Sequence, residues 1–170
     1  YENLQDEFLA FAKESGYNTV QLYLEGRVRT RSFPFRPELE TYSPDEMREI
    51  VREAQRLGLD LVPVVSVLGH AENFVTCPEL DDLCEESRAG RGRMGKDAPK
   101  MVFCHAVPRT REFLEKYLTE IMEIFPGENF HVGLDESFNT GFCPDCARQM
   151  KTIGLGGIYL DVINWAHGFL

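Results

Sequence analysis

The segment "FHVGLDESFNTGFCPDC", residues 130 to 146, puts His131, the adjacent carboxylates Asp135 and Glu136, and the cysteines Cys143 and Cys146 in one short stretch. Each group suggests a chemistry. Two neighbouring acids suit general acid–base work if one carries a proton while the other stays charged. A Cys-x-x-Cys knuckle is half of a zinc site, and Cys77 and Cys84 are candidates for the other half. An acid pair alone is weak evidence in a chain with 28 acidic residues. Asp45-Glu46 is another such pair, and helix capping accounts for it.

What raises the first pair above the second is its position. "NFHVGLDE" reads as an apolar strand that ends on the two acids, with Gly133 leaving space for a ligand or a close neighbour. Alternation along a strand gives His131 and Asp135 one parity and Val132 and Leu134 the other. Glu136 falls on the wrong parity and enters a pocket with Asp135 only if the strand ends or bulges there. Two earlier strands end in the same way. "YNTVQLYLEG" sets Val20, Leu22 and Leu24 on one face and Gln21, Tyr23 and Glu25 on the other, with Glu25 at the C-terminal end. "LDLVPVVSVLGH" ends in His70, and Pro63 inside it predicts a local irregularity. Glu25, His70, Asp135 and Glu136 thus all lie at C-terminal strand ends, where parallel barrels place their chemistry.

The elements that position these residues alternate. Leu4, Phe8, Phe11 and Ala12 share one helical face ahead of Gly16. In "YSPDEMREIVREAQRLG", Ser43 suits an N-cap, Pro44 the first helical position and Glu46 a capping box. Ile50, Val51, Ala54 and Leu57 form the buried face. A loop spans 71–108, "TREFLEKYLTEIMEIF" is a helix halted by Pro126 and Gly127, and a last helix is expected over 157–169. Strands joined by crossover helices pair in parallel. With no linker and no repeat, residues 1–170 read as one α/β domain, and its narrow sheet as a piece of a larger (β/α) fold.

Composition narrows the classes. A hydrophobic fraction of 43% is globular, and a net charge of −10 disfavours nucleic acid and anionic membrane surfaces. The basic cluster Arg88, Arg91, Arg93, Lys96 and Lys100 lacks interleaved aromatics and reads as a solvated loop. Five cysteines without scaffold spacing favour a reducing compartment. No serine-nucleophile elbow or phosphate-binding loop is present; "GRGRMG" has no strand-to-helix setting. His105 and His167 read as structural.

"FHVGLDE" resembles the His-x-Gly-x-Asp-Glu signature of glycoside hydrolase family 20, the β-N-acetylhexosaminidases. "GYNTVQLYLE" is similar to that family's second barrel strand. "YSPDEMREIVREAQRLGLDLVPVVSVLGH" is similar to its second helix and third strand. The resemblance implies a parallel (β/α)8 TIM barrel of which this chain covers roughly helix 1 to helix 4. It implies removal of a terminal N-acetylhexosamine from a carbohydrate substrate, with no cofactor and no metal at the site. Glu136 would be the general acid/base and Asp135 would orient the 2-acetamido group, whose oxygen attacks the anomeric carbon. His70, His131 and Glu25 would bind substrate or support the acids. Leu134 and Ser66 depart from the common pattern of Gly and Asp. The family's sugar-gripping arginine and aromatic wall would lie in flanking chain, so the rest of the barrel is the implied partner. Two other readings stay open: a different retaining glycosidase with Glu25 as nucleophile, and a non-catalytic sugar-binding barrel.

Overall fold

The computed structural model describes residues 7–170 and divides into two compact units.

The first unit comprises Tyr1–Val65 and Tyr117–His131. It contains helix α1 (Leu9–Glu14), strand β1 (Thr19–Tyr23), helix α2 (Pro44–Arg56) and strand β2 (Asp60–Val64). β1 and β2 pair in parallel from Thr19↔Asp60 to Tyr23↔Val64, and the crossover between them carries α2. The start of α2 is the capping box expected from its sequence. Ser43 Oγ accepts from the Glu46 N–H (3.3 Å), and the Glu46 carboxylate accepts from the Ser43 N–H (2.7 Å). Met47, Ile50, Val51 and Ala54 form its buried face.

Alternation holds in β1: Val20 and Leu24 are buried, whereas Gln21 and Tyr23 are exposed. β2 is buried along most of its length, as a central parallel strand should be. Pro63 sits within it opposite Leu22. The N–H that Pro63 lacks would point away from β1, toward the side where only its carbonyl is used, accepting from His131 N–H (3.0 Å). That side shows a single bridge, Val64↔His131, in place of the full third strand expected over "NFHVGLDE". The face expected for α1 is also different. Leu9 and Ala12 are buried, while Phe8 and Phe11 are exposed; Leu4 lies outside the described residues.

The loop after β1 is tied down by the helix that spans Pro108–Met122. Tyr117 is fully buried, donates to the Val28 carbonyl (3.3 Å) and meets Phe33 edge-on at 5.9 Å. Glu120 accepts from both the N–H and the hydroxyl of Ser32, each at 3.1 Å.

The second unit comprises Ser66–Lys116 and Val132–Leu170. The stretch expected as a long loop folds into helix α3 (Glu72–Val75), a 3-10 turn (Pro78–Leu83) and helix α4 (Glu85–Ala89). Residues 101–104 thread between two of its segments. Ala71 and Glu85 donate to the carbonyls of Met101 and Val102, while Phe103 and Cys104 donate to those of Leu68 and Leu83. Phe74, Phe103 and Phe113 pack together there, with centroids 5.6–6.2 Å apart. The helix over Pro108–Met122 is α5, and α6 runs over Pro144–Phe169. α6 starts well before the expected 157. It is broken at Gly154 (φ 69°, ψ 172°), a backbone conformation open to glycine and costly for other residues. Among the described residues no helix is long and apolar enough to cross a membrane.

Candidate active site

His70, Asp135 and Glu136 come together in the second unit. His70 Nε2 lies 3.3 Å from Asp135 Oδ2 and 3.3 Å from Glu136 Oε2, and its Nδ1 lies 3.9 Å from Glu72 Oε1. An imidazole with its proton on Nε2 offers one N–H to two carboxylates, so it holds the acids side by side rather than serving one. His70 is a quarter exposed, and Asp135 and Glu136 are more than half exposed (57% and 55%). The acids therefore remain accessible while the histidine behind them is anchored.

The parity problem at Glu136 is solved by the backbone. Among the described residues, the non-glycine residues with positive φ are Glu25 (44°), His70 (49°) and Glu136 (49°). Left-handed backbone costs a non-glycine residue roughly 1–3 kcal/mol and collects at functional sites. Here it falls on three of the residues marked by position at strand ends. At Glu136 it turns the chain just after Asp135, so two consecutive side chains reach one histidine.

Close packing of backbone holds that turn. A methyl on Gly69 would lie 2.1 Å from the Asp135 carbonyl oxygen and 2.8 Å from the Ser137 nitrogen. A methyl on Gly133 (φ 39°) would lie 2.7 Å from Ser66 Oγ, so the space beside Gly133 is filled by a close neighbour. Ser66 itself is buried. Beyond the acids, Ser137 Oγ donates to the Leu134 carbonyl (3.2 Å) and is hydrogen-bonded to the Tyr159 hydroxyl on α6. Neither Ser137 nor Tyr159 was marked by motif or parity.

Glu25 and His131 belong to the first unit. Glu25 follows the end of β1, half-buried, with its carboxylate 4.0 Å from Arg27. His131 is exposed, and its backbone carries the bridge to β2, its carbonyl accepting from Val65 N–H at 2.9 Å. His105 is structural: Nε2 bonds the Val67 carbonyl (2.7 Å), the ring packs against Trp165, and burial pushes its pKa down to about 4. His167 is exposed on α6.

The cysteines regroup. Cys143 and Cys146 do not join Cys77 and Cys84; they meet Cys104, at 3.5 and 3.6 Å between sulfurs, and Glu85 completes the group. Cys77 instead bonds the Asn73 carbonyl (3.5 Å), and Cys84 turns to Glu86 (3.0 Å). The pairing of Cys104 N–H with the Leu83 carbonyl is what draws residue 104 in. Glu86 is buried too, accepting from Asn139 Nδ2 (2.6 Å) and the Val102 N–H (3.3 Å).

Residues 14–163 match the catalytic-domain model of glycosyl hydrolase family 20. The β-hexosaminidase of Vibrio furnissii is 29% identical over 96 residues, covering 56% of this chain and 15% of that protein. The β-hexosaminidase subunit A1 of Dictyostelium discoideum is 30% identical over 97 residues, covering 56% and 17%. The chain thus matches less than a fifth of the length of these curated relatives. Among solved structures, the Vibrio harveyi exo-β-N-acetylglucosaminidase in complex with N-acetylglucosamine superposes with a TM-score of 0.74 at 22% identity, covering 91% of this chain and 28% of that one. The Bacteroides fragilis β-N-acetylhexosaminidase gives 0.69 at 24%, covering 89% and 32%. These two likenesses speak to the fold. The acid pair, the histidine it shares and the strand–helix order leading to them all fall inside the matched residues, and the chain belongs to glycosyl hydrolase family 20.

Proposed function

We propose that residues 1–170 are part of a (β/α)8 barrel catalytic domain and carry the acid pair of a β-N-acetylhexosaminidase. Glu136 is the general acid: its proton passes to the glycosidic oxygen as the bond to the anomeric carbon breaks. The carbonyl oxygen of the substrate's own 2-acetamido group forms the new bond to that carbon, giving an oxazolinium intermediate. Asp135, negatively charged beside the acetamido nitrogen, stabilises the positive charge that develops there. Glu136, now ionised, then takes a proton from water as its oxygen attacks the anomeric carbon. The ring opens, the acetamido group is restored, and configuration is retained. His70 positions both acids.

The observation that carries this reading is the contact of one His70 nitrogen with two consecutive carboxylates at equal distance. Substrate assistance needs an acid and an acetamido-orienting group side by side, and that contact supports the reading by keeping the two carboxylates adjacent. The N-acetylglucosamine bound to the Vibrio harveyi structure and, as product, to a Streptomyces plicatus β-hexosaminidase variant supports the substrate class. One observation favours a second reading: the left-handed backbone at Glu25 would suit a nucleophilic carboxylate at the end of β1.

Substituting Glu136→Gln in the complete catalytic domain tests the assignment. Loss of a general acid lowers turnover of an aryl N-acetyl-β-glucosaminide by about 10²–10⁴-fold. A variant that keeps near wild-type turnover overturns it.

A further inference from the structure

Glu85, Cys104, Cys143 and Cys146 lie outside the acid cluster, and the hydrolytic reaction does not use them. One ligand atom from each falls within 4.8 Å of all the others, and all four residues are buried. Cys104 Sγ is 3.5 Å from Cys143 Sγ and 3.6 Å from Cys146 Sγ. Thiolates around a tetrahedral zinc, with Zn–S bonds near 2.3 Å, stand about 3.8 Å apart. A disulfide needs about 2.05 Å. The sulfurs are therefore spaced for a shared ion rather than for a bond between them.

Glu85 supplies an independent observation. It is fully buried (0% exposed), and its two oxygens are used differently. Oε1 accepts from the backbone N–H groups of Gly141 (3.1 Å) and Cys143 (2.7 Å). Oε2 is buried without a hydrogen-bond partner. A buried, unsatisfied carboxylate oxygen is costly and calls for a cation. Around the cluster, the Cys146 N–H donates to Cys143 Sγ (3.4 Å), as backbone amides do toward knuckle thiolates. The Arg88 guanidinium, on the same helix as Glu85, pairs with Asp145 at 2.5 Å.

We propose that Glu85, Cys104, Cys143 and Cys146 form a structural zinc site with three thiolates and one carboxylate oxygen. On binding, the three thiols release their protons to solvent. The ion's two positive charges meet four negative ligands, and Arg88 offsets part of the remainder. With all four positions taken by protein, the site is closed and does no chemistry of its own. It ties the start of α4, the chain ahead of α5 and the start of α6 together. That fixes residues 137–143, which lead directly away from Asp135 and Glu136. Outer contacts such as the Cys146 amide to Cys143 and the Gly141 and Cys143 amides to Glu85 orient the ligands as metal sites require.

The test uses the purified wild-type protein and does not depend on hydrolysis. Elemental analysis should give one zinc per chain. Exchange with cobalt(II) should produce the intense visible absorption and the near-ultraviolet charge-transfer band of tetrahedral cobalt thiolate. Cys104→Ser should lose the metal, and Cys77→Ser should keep it. Because Cys104→Ser risks misfolding, Glu85→Gln serves as a second variant. It keeps an acceptor for the Gly141 and Cys143 amides and should weaken zinc retention against a chelator at least tenfold. Protein expressed in zinc-supplemented medium that is metal-free and shows no cobalt thiolate spectrum overturns the proposal. So does a disulfide among Cys104, Cys143 and Cys146 in protein kept under reducing conditions.

Discussion

Gly69→Ala tests whether the acid pair is positioned by backbone packing. Gly69 has no positive φ, so alanine is conformationally allowed there, and replacing a glycine at such a site ordinarily stabilises a protein by about 0.4–1 kcal/mol. Here the added methyl would sit 2.1 Å from the Asp135 oxygen, 2.8 Å from the Ser137 nitrogen and 3.0 Å from the Glu136 carbonyl carbon. All three are backbone atoms, so no side chain can swing aside. Reaching an ordinary contact of 3.4 Å moves the 135–137 turn or residue 69 by about 1 Å. A displacement of about 1 Å in a catalytic group costs roughly 100-fold in rate, or about 2.7 kcal/mol of barrier. Overpacking adds about 1–3 kcal/mol of destabilisation. The assay is kcat/KM on an aryl N-acetyl-β-glucosaminide by the complete catalytic domain, at a temperature where a thermal melt shows the variant folded. A variant within twofold of wild type would refute the claim that Gly69 packing sets the site.

Two further outcomes concern the scaffold. Ser43→Ala removes the hydroxyl that caps α2 and should lower stability by about 1 kcal/mol in a denaturant titration, leaving the denaturant slope unchanged. On acidification, the Ser43 N–H holds the Glu46 carboxyl below its usual 4.5, and the Lys100 ammonium and Ser87 hold Asp81 below its usual 3.8. Because both folded values are depressed, the stability they contribute is present above the ordinary range and is lost as pH falls through the folded values. The double variant Glu46→Gln, Asp81→Asn should therefore show a shallower loss of melting temperature between pH 4.5 and pH 2 than wild type.

The local signals in the sequence carried far where a single element decided the outcome. Ser43, Pro44 and Glu46 define the start of α2 because a capping box is complete within four residues. Of the four strand-end residues that position singles out, Glu25, His70 and Glu136 carry left-handed backbone, and among the described residues they are the non-glycine residues that do; Asp135 is not one of them. Signals that depend on tertiary contact were not legible. Parity placed Glu136 on the wrong face, because a positive φ at one residue overrides alternation and no residue type announces it. Cys104 shares no motif spacing with Cys143 and Cys146; its place beside them is set by its own backbone bond to Leu83 and that of Phe103 to Leu68. Glu85 and Glu86 lie in a stretch rich in acids, and nothing in it separates a buried carboxylate from a solvated one. Pro63 offers no N–H to extend the third strand's pairing ahead of His131; beyond it Val65 and Val67 still donate to the carbonyls of His131 and Val132, and the chain then turns at Glu136. The helix expected over 157–169 is the part of α6 beyond the break at Gly154; the part ahead of it, from Pro144, is not anticipated.

The central claim is that Asp135 and Glu136 share one hollow with the substrate's acetamido group, which performs the attack. The most direct measurement compares kcat/KM of the complete catalytic domain on an aryl N-acetyl-β-glucosaminide and on the matching aryl β-glucoside, with wild type and Asp135→Asn side by side. Turnover of the acetamido substrate alone is expected, reduced about 10²–10³-fold in Asp135→Asn as a stabilising charge is lost. Comparable turnover of the glucoside would contradict it and point to Glu25 as the nucleophile.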